Sequence, residues 1–293
     1  MKKAKKICGL LTALALMVSA SGCGLAAGAA SSGAPASSGG ASSDGSWEKV
    51  RSAGQLVLGF DKAFPPMGYV DTETGKTVGF DIDMATEACK RLGVGVKFQP
   101  IDWDNKAAEL NNGNVDCLWN GFSKTEERAE KFNLSIPYMK NNQIILVKTG
   151  SDCKGLESLA GKTVGVQSDS SAETALNDSA NASFKKSLKQ VVKIDDYSKA
   201  VMEIRNGTVD AVAIDEVVAR YYLTKNPGAY AVLQGKNGGD VSLAVEDYVV
   251  GFRKSDGALR AKVEEALKAM AKDGTASKIS QKWFGRDVVT LPK

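Results

Sequence analysis

The 293-residue chain contains no histidine. Imidazole general bases, Cys–His and Ser–His nucleophile pairs and His-ligated metals are thereby excluded, and most hydrolase chemistry goes with them. Cysteine is scarce, and Cys89, Cys117 and Cys153 are the only ones beyond the N-terminal segment. An odd number cannot fully pair, no C-x-x-C spacing occurs, and Cys89 and Cys117 fall in apolar patterns, so these cysteines are expected as buried small hydrophobes. Excess charge is also missing. The formal net charge is +4, but Lys2, Lys3, Lys5 and Lys6 supply four of the 38 basic residues before any acid appears, and the rest balance the 34 acids. A neutral body removes the electrostatic case for nucleic acid. Long hydrophobic runs are absent too: the apolar stretch at 7–20 is too short to span a bilayer of about 30 Å as a lasting helix.

What is present points to an exported globular protein. With 43% hydrophobic and 25% charged residues, the chain lies far from disordered or collagen-like compositions, and its length favours two cores over one. Residues 1–6 form a positive n-region ahead of the short apolar stretch, which reads as an export signal. It runs into Ala20-Ser21-Gly22-Cys23, which resembles the lipobox of bacterial lipoproteins. The resemblance implies cleavage before Cys23 and acylation of its thiol, which would anchor the protein. Residues 24–46 are Gly, Ala and Ser apart from Leu25, Pro35 and Asp44. Such a segment buries too little apolar surface to offset its ordering entropy. As a flexible coil it spans roughly 26 Å, a tether behind the anchor.

Two short echoes within the body hint at two lobes of similar design. Glu109-Leu-Asn-Asn112-Gly113-Asn-Val115-Asp116 and Glu203-Ile-Arg-Asn206-Gly207-Thr-Val209-Asp210 share E-x-x-N-G-x-V-D, each reading as a helix end capped by Asn-Gly and a turn into a strand. A second echo sets Gly75-Lys-Thr-Val-Gly79 against Gly161-Lys-Thr-Val-Gly165. Short apolar runs predict strands at 56–60, 96–99, 116–119, 143–147, 163–166, 211–214 and 249–252. Helical patterns lie between them: Ile82, Ala85, Cys89 and Leu92 behind Asp81; Val201 and Ile204 behind Ser198; Val217, Val218, Tyr221 and Tyr222; and Leu259, Val263, Leu267 and Met270. Such alternation implies α/β units with largely parallel sheets, whose ligands sit beyond the carboxyl ends of the strands.

The residues following those strands include Asp61, Phe64, Asn120, Gly121, Phe122, Ser123, Arg128, Gln167, Ser168, Asp169, Ser170, Ser171 and Asp215. Carboxylates, a guanidinium, hydroxyls and aromatics together suit a small zwitterion. At these positions the chain resembles the solute-binding proteins of polar amino-acid ABC transporters, extracellular solute-binding protein family 3. The resemblance is carried by L-V-L-G-F-D-x-x-F-P-P-M (56–67), V-G-F-D-I-D-M-A (78–85), G-N-V-D-C-L-W-N-G-F-S-K-T-E-E-R (113–128), L-A-G-K-T-V-G-V-Q-S (159–168), D-A-V-A-I-D (210–215) and Lys282-Trp283-Phe284-Gly285.

The resemblance implies a two-lobed α/β fold of the type II periplasmic-binding-protein kind. Two crossovers near 138–142 and 244–248 join lobe one (47–141 and 247–293) to lobe two (142–246). It implies that Arg128 binds the ligand α-carboxylate, as a guanidinium does through two parallel charge-assisted bonds. Ser123 supplies its amide to the carboxylate and its hydroxyl to the ligand amine. Asp215, with the carbonyl of Gly121, takes the α-ammonium, although an Asp there also suits a helix N-cap. Ser170 and Ser171 close over the carboxylate. Selectivity falls to Asp61, Phe64, Trp103 and Gln167, with Phe64 and Trp103 sandwiching the ligand side chain and Asp61 meeting its distal end. An acid there favours a cationic or amide end and opposes a carboxylate. Gln167 stands where some glutamine binders of the family carry lysine, and Asn120 where a small residue is common. The implied partners are an L-amino acid, arginine or lysine before glutamine or cystine, a separate ABC permease and, through Cys23, a membrane, which places the chain on the outer face of the cytoplasmic membrane or in the periplasm. No cofactor is implied, and a monomer is expected. An enzyme on the same scaffold needs an uncommitted general acid or base, and a sensor needs a signalling module; neither feature stands out.

Overall fold

The motif E-x-x-N-G-x-V-D builds the same joint at both of its positions. In a computed structural model, which describes residues 44–292, the helices Lys106–Asn111 and Tyr197–Asn206 each end at the motif. Gly113 and Gly207 turn the chain with φ of 78° and 76°, a region that favours glycine. The motif aspartate then clamps the first residues of a parallel strand. Asp116 donates its N–H to Val57 O (2.7 Å) and accepts from Val57 N–H on Oδ2 (3.0 Å). Asp210 does the same with Thr163, at 2.9 and 2.8 Å. The second echo does not hold: residues 77–78 lie in a separate three-stranded sheet, whereas residue 163 opens a strand of the main sheet.

The chain divides into units at 1–40 and 41–293, and the described residues belong to the second. Every strand expected from the sequence is present. The strands of the main hydrogen-bonded path are, in chain order, β1 (Gln55–Phe60), β2 (Gly95–Pro100), β3 (Cys117–Ser123), β4 (Met139–Lys148), β5 (Thr163–Gln167), β6 (Gln190–Ile194), β7 (Ala211–Asp215) and β8 (Ser242–Phe252). Of these, β6 was not anticipated. Hydrogen bonding runs β6-β5-β7-β4-β8-β3-β1-β2. The sequence β2-β1-β3 is parallel and ends on antiparallel β8, while β6-β5-β7 is parallel and ends on antiparallel β4. Two half-sheets of one design therefore face each other. They meet where β4 and β8 pair antiparallel, from Ala244↔Gln143 to Tyr248↔Met139, close to the two expected crossovers. The ladder continues through this ribbon, so both half-sheets belong to one ten-stranded sheet, with the short strands Tyr230–Val232 and Asn133–Leu134 pairing β4 and β8 off the main path.

Two independent cores were expected, but the largest cluster joins both halves, running from Leu58 and Phe80 through Phe64 to Tyr197 and Ile214. Phe64 carries it across, with its ring 5.5 Å from that of Tyr197. Smaller clusters back each half-sheet separately. The V-G-F-D-I-D motif locks the first half. Asp83 Oδ2 accepts from Lys282 Nζ (2.6 Å) and Trp283 Nε1 (2.7 Å), pinning helix Thr275–Phe284. Cys89, Cys117 and Cys153 are free and buried, as expected.

The expected export signal and lipid-attachment residue Cys23 lie outside the described residues, as does the tether up to residue 43. The last tether residues belong to the fold. Asp44 Oδ2 and Ser46 Oγ accept from the Ala258 and Leu259 N–H groups at the start of helix Gly257–Lys272, at 2.8 and 3.0 Å. No helix among the described residues is long and apolar enough to cross a membrane.

Candidate ligand-binding site

The carboxyl ends of β1 and β3 face those of β5 and β7 across the crossover ribbon, and the polar residues between them are buried. Their positions follow from local sequence. In the run S-K-T-E-E-R, Thr125 caps helix Glu126–Lys131 by accepting from Arg128 N–H on Oγ1 (3.1 Å), which turns Arg128 back toward β3. Its guanidinium donates to Ser123 O (3.0 Å) and to Asp169 O across the cleft (3.2 Å), and lies 4.5 Å from the Phe122 ring centroid. Burial pulls its pKa down, opposed by the charges of Glu246, Asp169 and Asp215. No carboxylate among the described residues lies within ion-pair distance of it. Among the described residues Lys106 and Arg128 are the two buried cations, and of the two Arg128 has no carboxylate within ion-pair distance whereas Lys106 pairs with Asp169.

Asp215 holds the N-cap position of helix Glu216–Lys225, but its side chain makes no capping bond. Its carboxylate turns inward. Oδ1 accepts from Asn141 Nδ2 (2.7 Å), Gln143 Nε2 (2.8 Å) and Tyr248 Oη (2.7 Å), and Oδ2 from Tyr197 Oη (3.0 Å). Burial and then the neighbouring Glu246 push its pKa up to about 7. The same burial keeps the Tyr197 and Tyr248 phenols protonated as donors. Ser171 Oγ donates to Ser123 Oγ (3.0 Å), joining the two half-sheets, and Ser123 Oγ donates to Glu246 Oε2 (2.6 Å). Ser170 caps helix Ser171–Asn177, accepting from Glu173 N–H (3.1 Å).

At the other end Asp61, 4% exposed, meets Gln167 Nε2 at 2.6 Å and Ala63 N–H at 2.8 Å. Burial raises its pKa to about 6, opposed by those two donors. Asn120 spends its amide on backbone: Oδ1 accepts from Asp61 N–H (2.8 Å) and Nδ2 donates to Gly68 O (3.3 Å). Gly121 has φ of 55°, and a Cβ there would lie 2.6 Å from the Phe64 ring. Its N–H donates to Asp81 Oδ2 (2.7 Å), which Tyr138 Oη also reaches (3.0 Å). Trp103 and Phe64 do not stack on one another. Trp103 packs edge-on to Phe122 (5.9 Å), with Lys106 Nζ 5.2 Å from its centroid. Lys106 bridges the halves, bonding Trp103 O, Asp169 O and the Asp169 carboxylate.

The structure thus brings Arg128, Ser123, Ser171 and Asp215 together, with Asp61 and Gln167 as a second group. Sequence reasoning missed Asn141, Gln143, Tyr197, Glu246 and Tyr248. The amides share a signature: Asn141 Oδ1, Gln143 Oε1 and Gln167 Oε1 are buried without a hydrogen-bond partner, while each NH₂ is spent on a carboxylate. Unpaired buried acceptors are costly unless a donor meets them. Carboxylates and bare amide oxygens suit a ligand rich in N–H groups, and a guanidinium without a counter-ion suits a carboxylate.

A pH dependence follows for the ligand-free chain. Because the folded pKa of Asp61 is raised, its contribution to stability is complete below about pH 4 and is lost as pH rises through about 6. Asp61→Asn is expected to flatten the change in unfolding free energy across that window, measured by denaturant titration at stepped pH. An unchanged slope would contradict the assignment.

A family model, bacterial extracellular solute-binding proteins, family 3, matches residues 56–286. The chain belongs to that family, and its fold is the two-lobed α/β fold of type II periplasmic binding proteins. It is 32% identical over 243 residues to the L-cystine-binding protein TcyA of Bacillus subtilis, covering 83% of this chain and 85% of that protein. It is 31% identical to the arginine-binding extracellular protein ArtP of Bacillus subtilis, covering 78% of this chain and 86% of that protein. Among solved structures, an ABC uptake transporter substrate-binding protein from Streptococcus pneumoniae with bound histidine is 39% identical, with a TM-score of 0.79, covering 85% of this chain and 99% of that one.

Proposed function

We propose that the chain is an extracytoplasmic lipoprotein that captures a basic L-amino acid, arginine or lysine, by closure of two lobes and delivers it to an ABC permease. The lobes are residues 47–141 with 247–293, and residues 142–246, hinged at the crossover ribbon. Hinge closure around a ligand is the established behaviour of periplasmic binding proteins. The observation that carries the ligand class is the charge balance. Arg128 is one buried cation without a counter-ion, among the buried carboxylates of Asp61, Asp215 and Glu246. The α-carboxylate goes to Arg128 and the α-ammonium to Asp215. The side-chain cation goes to Asp61 beside the bare Gln167 Oε1, with Phe64 and Trp103 walling its apolar stem.

A thermal-shift panel of the amino acids tests this reading, since a ligand at a hundredfold excess over its Kd adds about 2.7 kcal/mol of apparent stability. Arginine and lysine are expected to lead. Stabilisation by glutamate or aspartate, with none by arginine or lysine, would contradict it. The similarity to TcyA favours a second reading, L-cystine, whose distal ammonium would meet Asp61; cystine leading the panel would establish it. For the anchor, Cys23→Ser is expected to move the protein from membranes to the soluble fraction on cell fractionation. Retention on the membrane would refute acylation at Cys23.

A further inference from the structure

Glu246 lies on the crossover strand, opposite Asn141 in the ribbon and 8% exposed. Its neighbour Asp247 points outward to an ion pair with Lys140 (2.6 Å), whereas the Glu246 carboxylate turns into the cleft. Oε2 accepts from Ser123 Oγ (2.6 Å) and from Gln143 Nε2 (2.9 Å). That same Nε2 donates to Asp215 Oδ1 at 2.8 Å. One amide nitrogen therefore sits between two carboxylates. Glu246 is also the strongest attractive charge on Arg128, ahead of Asp169 and Asp215, although no ion pair joins them. Glu246 Oε1 accepts no hydrogen bond among the described residues.

We propose that Glu246 is a second carboxylate acceptor for the ligand α-ammonium, forming with Asp215 a cradle that places charge recognition on the hinge itself. This rests on the amino-acid reading above. Like charges this close repel, and a cation set between them relieves the repulsion, so the pair selects a ligand with a full positive charge at its α-nitrogen. The Ser123 hydroxyl, expected from the resemblance to serve the ligand amine directly, donates to Glu246 and acts on the amine through it.

The test combines Glu246→Gln with a change in the ligand. Gln keeps an acceptor for Ser123 and Gln143 and removes only the charge. Calorimetry with L-arginine and with 5-guanidinopentanoate, which is arginine without its α-amine, compares the two proteins. The substitution is expected to weaken L-arginine about tenfold or more while leaving the analogue unchanged or tighter. The unfolding midpoint of the ligand-free protein is expected to hold or rise, because one of two adjacent buried charges is gone. Equal loss for both ligands, L-arginine affinity within about twofold of the parent, or a lowered midpoint would make Glu246 a structural strut and overturn the proposal. Should the analogue bind neither protein, the L-arginine loss and the midpoint decide. A parent protein that binds no amino acid overturns the amino-acid reading instead.

Discussion

Arg128→Ala is expected to weaken amino-acid binding by about thirtyfold or more. The guanidinium is buried against Phe122, and its two bonds to Ser123 O and Asp169 O fix its plane without satisfying its charge. A ligand carboxylate arriving there gains charge-assisted bonds in a desolvated site. Without Arg128 that carboxylate stays buried and unpaired, a loss of about 2–5 kcal/mol. Arg128→Lys is expected to fall between parent and Ala, because an ammonium keeps the charge but not the planar fork. Isothermal titration with L-arginine and L-lysine provides the measurement. Parental affinity in Arg128→Ala, for every amino acid tried, would remove Arg128 from the site.

Asp215→Asn is expected to separate stability from function. Asn can keep the acceptor facing Asn141, Gln143 and Tyr248, and place its NH₂ toward Tyr197 Oη, which can accept. The polar network survives while a buried charge that burial and Glu246 both disfavour is removed. The ligand-free variant should therefore unfold at a higher temperature than the parent at about pH 8, where the raised pKa of Asp215 counts against the fold. Ligand affinity should fall by about 2–5 kcal/mol, because the α-ammonium loses one of the two carboxylates that cradle it. Calorimetric scans and titrations read the two effects separately. Parental affinity, or a lowered midpoint, would contradict the role given to Asp215.

The strand ends were legible in the sequence because β1, β3, β5 and β7 are short apolar runs that stop at a polar residue. Arg128 follows such a stop, whereas Asn120, Gly121, Ser123, Gln167 and Asp215, expected just after the strands, lie within the last residues of β3, β5 and β7, which run further than their apolar cores; a resemblance in motif suggested the roles of Arg128 and Asp215. The E-x-x-N-G-x-V-D echo correctly marked two half-sheets of one design, since its aspartates clamp equivalent strands. The crossover ribbon was legible in place but not in chemistry. Asn141 and Glu246 look like polar residues of a connection and Gln143 like the polar first residue of a strand, and their burial arises only when segments about a hundred residues apart pair in the ladder. Their one local signal is a polar residue interrupting a strand pattern. Lys106 was hidden similarly, because its partner Asp169 comes from the opposite half. Strand β6 was missed because Q-V-V-K-I is short and its exposed positions dilute the apolar pattern. The merged core was missed because Phe64 and Tyr197 meet only when the halves approach.

A crystal structure of the protein with L-arginine tests the central claim most directly. The account predicts the α-carboxylate on the Arg128 guanidinium, the α-ammonium between Asp215 and Glu246, and the ligand guanidinium at Asp61 with Gln167 Oε1 accepting from it. A ligand bound in reverse, with its carboxylate away from Arg128, or seated outside the cleft between the half-sheets, would contradict it.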